Sequence, residues 1–193
     1  MFLLESKNGE QKMQGVYFIA GIYGTGKTTL GKELSPQLGI PYYEASELIK
    51  KHSGEKYGAT KHVKDIKRNQ NILAEQVSEI LKIEKTIILA GHFVIFDKNR
   101  NFEAIPSDIF EQLDIIMVIL LEANTEKIIM HLRNRDSKNY TQDELSTLAK
   151  EEKRLCLEFT KNTNVPLLIH KMNYKNDSEL LKLQINETLR SVP

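Results

Sequence analysis

The chain has one cysteine, Cys156, in 193 residues, so it can form no internal disulfide and suits a reducing compartment. That cysteine reads as a helix residue rather than a nucleophile. An excess of one charge is also missing: 27 Lys and Arg stand against 26 Asp and Glu, a net charge of +1. No global basic field therefore points to a nucleic-acid partner, although a local basic groove stays compatible with the sequence. No apolar run approaches membrane-spanning length. The opening Met1-Phe2-Leu3-Leu4-Glu5-Ser6-Lys7 lacks the basic leader and long apolar core of a signal peptide. The expectation is a soluble cytoplasmic protein with no membrane partner. Repeats and low-complexity segments are absent as well. A hydrophobic content of 40% predicts one domain, 1–193, with a substantial core and room for a small inserted lobe. A motor or a full dehydrogenase would be cramped.

What is present begins with Gly21-Ile22-Tyr23-Gly24-Thr25-Gly26-Lys27-Thr28-Thr29, directly after the apolar run Val16-Tyr17-Phe18-Ile19-Ala20. The spacing G-x-x-x-x-G-K-[ST] is that of a phosphate-cradling loop, in which glycines let the backbone curl so that successive N–H groups face phosphate oxygens. A helix must then start at the lysine, because its free N–H groups and positive dipole end stabilise the same anion. Leu30, Leu34 and Leu38 supply that helical period, with Gly39 as C-cap and Pro41 beyond it. In this reading Gly21, Gly24, Thr25, Gly26, Lys27, Thr28 and Thr29 hold a nucleoside triphosphate. Lys27 reaches the outer phosphates, and the Thr28 hydroxyl is the protein's ligand to Mg²⁺.

The rest of the chain alternates between strands and helices. Residues 1 to 14 predict an arm or short edge strand, and Pro41-Tyr42-Tyr43-Glu44 a short second strand. A short helix opens at Glu47, Gly54 and Gly58 break it, and Thr60 is placed to cap another. From Asn69 to Lys82 the residues Ile72, Leu73, Val77, Ile80 and Leu81 trace one helical face. Thr86–Ala90 and Ile115–Leu121 read as buried parallel strands and Val165–Ile169 as a fifth. Asn124 caps one helix, Thr141-Gln142-Asp143-Glu144 forms a capping box for a long one to about Lys161, and Asn176-Asp177-Ser178-Glu179 caps the last. The expected fold is a doubly wound α/β three-layer sandwich on a five-stranded parallel sheet, its phosphate site at the carboxyl ends of the strands.

That geometry directs attention to residues just past each strand: Glu44, Ser46 and Glu47, then Gly91 and His92, and one helix beyond the next strand Arg133 and Arg135. Two guanidinium groups beside a helix end suit phosphoryl transfer, since they bind oxygen pairs in bidentate fashion and stay charged when water is excluded. Solvated charges complementing the helix dipole are the other reading. Glu152 falls on the apolar stripe of Leu145, Leu148, Leu155 and Phe159, where a carboxylate needs a partner. Positioning a lid arginine and lying blandly at a rim both stay open for it.

The loop Gly21–Thr29, the segment Ala90-Gly91-His92-Phe93 and the run Leu132-Arg133-Asn134-Arg135-Asp136 resemble, in order and separation, the small nucleoside monophosphate kinases. The likeness spans roughly residues 15 to 190 and points to the archaeal-type and nuclear-type adenylate kinases and adenylate-kinase-like ATP-binding proteins. The resemblance implies a core of 15–44 and 85–193, a helical acceptor-binding insertion at 45–84 and a short lid at about 133–143. It also implies that Arg133 and Arg135 clasp the phosphates in transfer and that His92 lies near the transferred phosphate. Such kinases carry an acid two residues before that histidine, where this chain has Ala90; Glu44 at the adjacent strand end is the candidate substitute. For the acceptor the candidates are Glu44, Glu47, Arg68 and Gln70, the last two near Lys64, Lys67 and Asn69 on a cationic helix face; a merely solvated face is the other reading of Arg68 and Gln70. His170-Lys171-Met172-Asn173 would border the adenine. The activity implied is transfer of the γ-phosphate of ATP to a small acceptor, a nucleoside monophosphate first. The alternative is a nucleotide-dependent ATPase acting on a macromolecular partner, which the missing acid favours.

Overall fold

The computed structural model describes residues 4–5, 11–12, 14–53, 66–97, 99–135 and 140–191. Two residue pairs, β1 (Leu4–Glu5) and β2 (Gln11–Lys12), form an antiparallel ribbon apart from the main sheet. The central strand β3 (Gly15–Ala20) is buried along its whole length and feeds the phosphate loop and then α1 (Lys27–Leu38). After it come β4 (Tyr42–Glu44), α2 (Ala45–His52), α3 (Ile66–Leu81) and β5 (Thr86–Ala90). A short hairpin follows, β6 (Val94–Phe96) and β7 (Phe102–Ala104), then α4 (Ser107–Glu111) and β8 (Ile115–Glu122). The chain closes with α5 (Thr125–Arg135), α6 (Gln142–Thr163), β9 (Leu167–Lys171) and α7 (Asp177–Ser191). The calls on Gly54, Gly58, Thr60 and Lys64 lie outside the described residues.

The main sheet has the order β4-β5-β3-β8-β9, and every pairing in it is parallel. Successive residues of a strand face opposite sides, so β3 serves two cores at once. Val16, Phe18 and Ala20 join Ile87, Leu89, Val118 and Leu120 against Leu73 and Val77 of α3 and Cys156 and Phe159 of α6. Tyr17 and Ile19 join Ile88, Met117 and Ile119 against Leu30 and Leu34 of α1 and Leu181 and Ile185 of α7. The result is the expected three-layer α/β sandwich.

Several boundaries differ from expectation for local reasons. The fifth strand runs two residues later than expected because Pro166 has no N–H to give the ladder; its carbonyl still accepts from the Val118 N–H at 2.9 Å. The short helix after the second strand starts at Ala45, with Glu44 in its N-cap position. The hairpin and α4 occupy a stretch where no element was expected. The hairpin turn is built by Asp97, whose Oδ1 accepts from the N–H groups of Asn99 and Asn101 at 2.7 Å each, while Arg100 adopts a left-handed φ of 66°.

Candidate phosphate-binding and transfer site

The loop leaves β3 at the carboxyl edge of the sheet, between β5 and β8. Gly26 is the N-cap of α1 at φ 98°, and no acidic residue stands in that helix's first turn. Its free N–H groups therefore face an uncompensated space suited to an anion. Gly24 is required sterically as well as conformationally. It sits at φ 78°, and a Cβ there would come within 2.9 Å of Leu132 Cγ and 3.1 Å of Ile128 Cγ2 on α5. The His131 ring nitrogen Nδ1 also lies 3.2 Å from the Gly24 carbonyl. Thus α5, whose C-terminal turn carries Arg133, is packed directly on the loop.

Lys27 is half-buried, and its Nζ donates to the carbonyls of Gly21 at 2.5 Å and Ile22 at 3.1 Å. Thr25 is buried and its hydroxyl donates to the Ile22 carbonyl at 2.8 Å, closing the loop from within. Thr28 and Thr29 are exposed at the helix start. Within interaction range of the Thr28 hydroxyl stands the Tyr42 hydroxyl, which is also close to Glu44. Burial first, and then the Glu44 charge, raise the Tyr42 pKa well above the ordinary phenol range. The Tyr42 hydroxyl nonetheless makes no hydrogen bond of sound geometry, so its neighbours are close without being tied to it. Glu44 is the register partner of Ala90. In a parallel ladder such partners point to one side of the sheet, the α1 side here, where Ala90 and Tyr42 share a core with Leu30.

His92 is half-buried past β5, its ring 4.5 Å from that of Tyr23 in the phosphate loop. Tyr23 in turn stacks on Phe96 of the hairpin at 6.0 Å and on Tyr140 at 6.5 Å. The Arg100 guanidinium covers Tyr140 at 5.2 Å and donates to Glu144 at 2.9 Å. Residue-by-residue reading of the sequence missed this ring array and the hairpin behind it. The signal was the polar turn Asp97-Lys98-Asn99-Arg100-Asn101 between two short apolar runs.

The remaining sequence candidates are spread more widely. Arg133 is exposed on the last turn of α5, while the Arg135 side chain and residues 136–139 lie outside the described residues. Glu47 is exposed in the first turn of α2, 3.8 Å from Lys50. On α3 Arg68 is exposed with its guanidinium 3.4 Å from the Ser53 carbonyl, whereas Asn69 and Gln70 are buried. Met172 and Tyr174 approach the helix start, since a Cβ on Gly26 would meet them at 3.3 and 3.6 Å. His170 is buried behind them, with Asp177 at 3.0 Å and Gln184 at 2.8 Å, and so fixes this turn to α7.

Glu152 corrects one expectation. Among the described residues its carboxylate reaches no lid arginine, nor is it at a rim: the residue is 1% exposed. Oε1 accepts from the Gly21 N–H at 2.9 Å, and Oε2 accepts from Phe93 and Val94 at 2.9 Å each. Burial raises its pKa, while the Lys27 charge and these three amides oppose that rise.

A family model described as an AAA domain matches residues 20–149, more than half of the chain. The chain belongs to this AAA-domain family. Among its relatives, a shikimate kinase from Chromobacterium violaceum is 27% identical over 93 residues. That match takes in 47% of this chain and only 50% of the relative's length. A putative adenylate kinase from Methanocaldococcus jannaschii is 26% identical over 165 residues, 74% of this chain and 91% of that one. The solved shikimate kinase from Acinetobacter baumannii, in complex with shikimate, superposes with a TM-score of 0.61 at 16% identity, over 93% of this chain and 96% of that one. At that identity the likeness is one of fold. The resemblance to adenylate kinases is thus matched by an equal one to shikimate kinases, and it does not single out the archaeal type.

Proposed function

We propose that the chain transfers the γ-phosphate of ATP to a small acceptor, with a nucleoside monophosphate as the first candidate. The observation that carries this reading is the loop Gly21–Thr29 at the start of α1, its Lys27 and helix N–H groups facing the rim that also holds Glu44 and His92. The match to a putative adenylate kinase over 91% of that protein's length supports the acceptor class.

In this reading a triphosphate replaces the two loop carbonyls that Lys27 now holds, and the ammonium neutralises its outer oxygens. Thr28 and Glu44, both close to the Tyr42 hydroxyl, are the residues that would hold Mg²⁺. Mg²⁺ takes hydroxyl and carboxylate oxygens alongside phosphates and water, and when bound it neutralises charge between the β- and γ-phosphates. Arg133 would clasp the phosphoryl group, joined by Arg135, and His92 would stand beside it. The base of ATP would rest against Met172 and Tyr174. Residues 45–84 would form the acceptor wall, with Glu47, Arg68 and Gln70 as its polar contacts, Glu44 at its edge, and residues 133–143 as lid. A second reading, an ATPase that works on a macromolecular partner, is favoured by Ala90 in place of the acid.

The test is purified protein with Mg-ATP and a panel of ribo- and deoxynucleoside monophosphates, with shikimate included. At least one nucleotide is expected to yield its diphosphate faster than ATP is hydrolysed; if no acceptor beats water, the ATPase reading takes its place. Lys27→Ala is expected to abolish turnover, and unchanged activity in that variant would refute the reading of the loop.

A further inference from the structure

Glu152 lies beyond the stretch that the AAA-domain model matches, yet it is the group that joins the two walls of the site. It stands on α6, 131 residues from Gly21 and 59 and 58 residues from Phe93 and Val94. One oxygen takes the first N–H of the phosphate loop. The other takes the two N–H groups with which the chain leaves β5 and enters the hairpin. Desolvation of a buried carboxylate is offset only when its lone pairs accept hydrogen bonds, and here each oxygen accepts from backbone N–H groups.

The Gly21 residue is held from both sides: its N–H by Glu152, its carbonyl by Lys27 Nζ. Lys27 is also the cation whose charge acts on Glu152. Moving Lys27 outward to a phosphate therefore removes one restraint on Gly21 and one counter-charge from Glu152. The same carboxylate holds the hairpin base, whose Phe96 stacks on Tyr23 and whose Arg100 reaches Glu144 at the start of α6. A cavity of about 250 Å³ lined by Ile22, Thr25, Ile128 and Glu152 lies against the loop.

We infer that Glu152 is a positioning residue that couples occupancy of the phosphate loop to the β6–β7 hairpin, so that a bound triphosphate is registered at the amides of Phe93 and Val94. The inference rests on the reading of the loop as a triphosphate site. Coupling of this kind needs a contiguous physical link biased by both ends, and Glu152 supplies one with a single side chain.

Amide hydrogen exchange resolved by residue, with and without a non-hydrolysable ATP analogue and Mg²⁺, tests it; binding of the analogue is measured separately by calorimetry. In the unaltered protein the analogue is expected to change exchange at Phe93 and Val94 at least about fivefold. Glu152→Gln keeps the shape but cannot accept at both positions, so the response at Phe93 and Val94 is expected to vanish while the analogue still binds. A response of equal size in Glu152→Gln, or none in the unaltered protein with analogue bound, overturns the coupling. Absence of analogue binding to the unaltered protein overturns the triphosphate reading itself. Should Glu152→Gln not fold, Lys27→Ala without ligand replaces it: exchange at Phe93 and Val94 is expected to change about fivefold, and unchanged exchange there overturns the coupling.

Discussion

The residue that departs most from the expected chemistry is Ala90, and under the proposed function its surroundings offer a substitute for the missing acid. Its register partner Glu44 projects to the same side of the sheet, beside Tyr42 and within reach of the Thr28 neighbourhood. An aspartate added at position 90 would put a second carboxylate next to the first in a buried setting, where like charges oppose ionisation. Glu44→Gln is therefore expected to lower phosphoryl transfer by roughly 10–100-fold, the range seen when a carboxylate orienting a metal site is removed. Ala90→Asp is expected to gain little. Steady-state kinetics at saturating Mg²⁺ checks both, and a large gain in Ala90→Asp with no loss in Glu44→Gln would assign the metal role elsewhere. At the same scale Cys156 is inert: burial, assisted by the Glu152 charge, pushes its thiol up to about 12.

Among the elements, α6 and the hairpin meet at a second carboxylate besides Glu152. Glu144 closes the capping box, with its N–H donating to the Thr141 hydroxyl and its Oε2 accepting from the Thr141 N–H at 2.8 Å, while Oε1 takes the Arg100 guanidinium. The Thr141 N–H above all holds the Glu144 pKa below its ordinary value of 4.5; burial, the next influence, opposes it, and the Thr141 hydroxyl and Arg100 add to the lowering. A carboxyl whose pKa is lowered by folding stabilises the fold above its ordinary value and loses that contribution as the pH falls through the lowered one. The difference in melting temperature between the unaltered protein and Glu144→Gln is thus expected to be largest near neutrality and to shrink as the pH drops below 4.5. A difference independent of pH would mean that the carboxylate's charge is immaterial. Loss of the cap itself, in Thr141→Ala, is expected to cost about 1 kcal/mol.

For the whole molecule, the layers and the loop were legible because residue types dictate them: β-branched runs made the strands, leucine spacing the helices, and glycines the turn that only they can make. Glu152 was legible as a carboxylate on an apolar stripe, but whether it is buried and what it meets were not, since any residue except proline offers a backbone N–H and no residue type marks one out. The hairpin escaped because strands of three residues carry too little alternation to read, and β9 slipped because an apolar run does not reveal where a proline delays the ladder. Ligand-linked stability tests the assembled site as one unit. At a concentration of ATP analogue 100 times its Kd, the fold is expected to gain about 2.7 kcal/mol, a rise of roughly 5–10 °C in melting temperature for a chain of this size. Lys27→Ala is expected to lose the rise, and a full rise in that variant would place the ligand elsewhere.

The parallel order of the sheet also has a practical side. Every strand of it delivers its carboxyl end to the same rim, so the opposite rim is remote from the phosphate loop by the full length of β3 and β5. Ile83, in the turn that leads into β5, sits on that far rim and is 85% exposed. A fluorophore or surface tether attached there, through an engineered cysteine, would report on or immobilise the protein with its working end facing solution, and the buried Cys156 would not compete for the label.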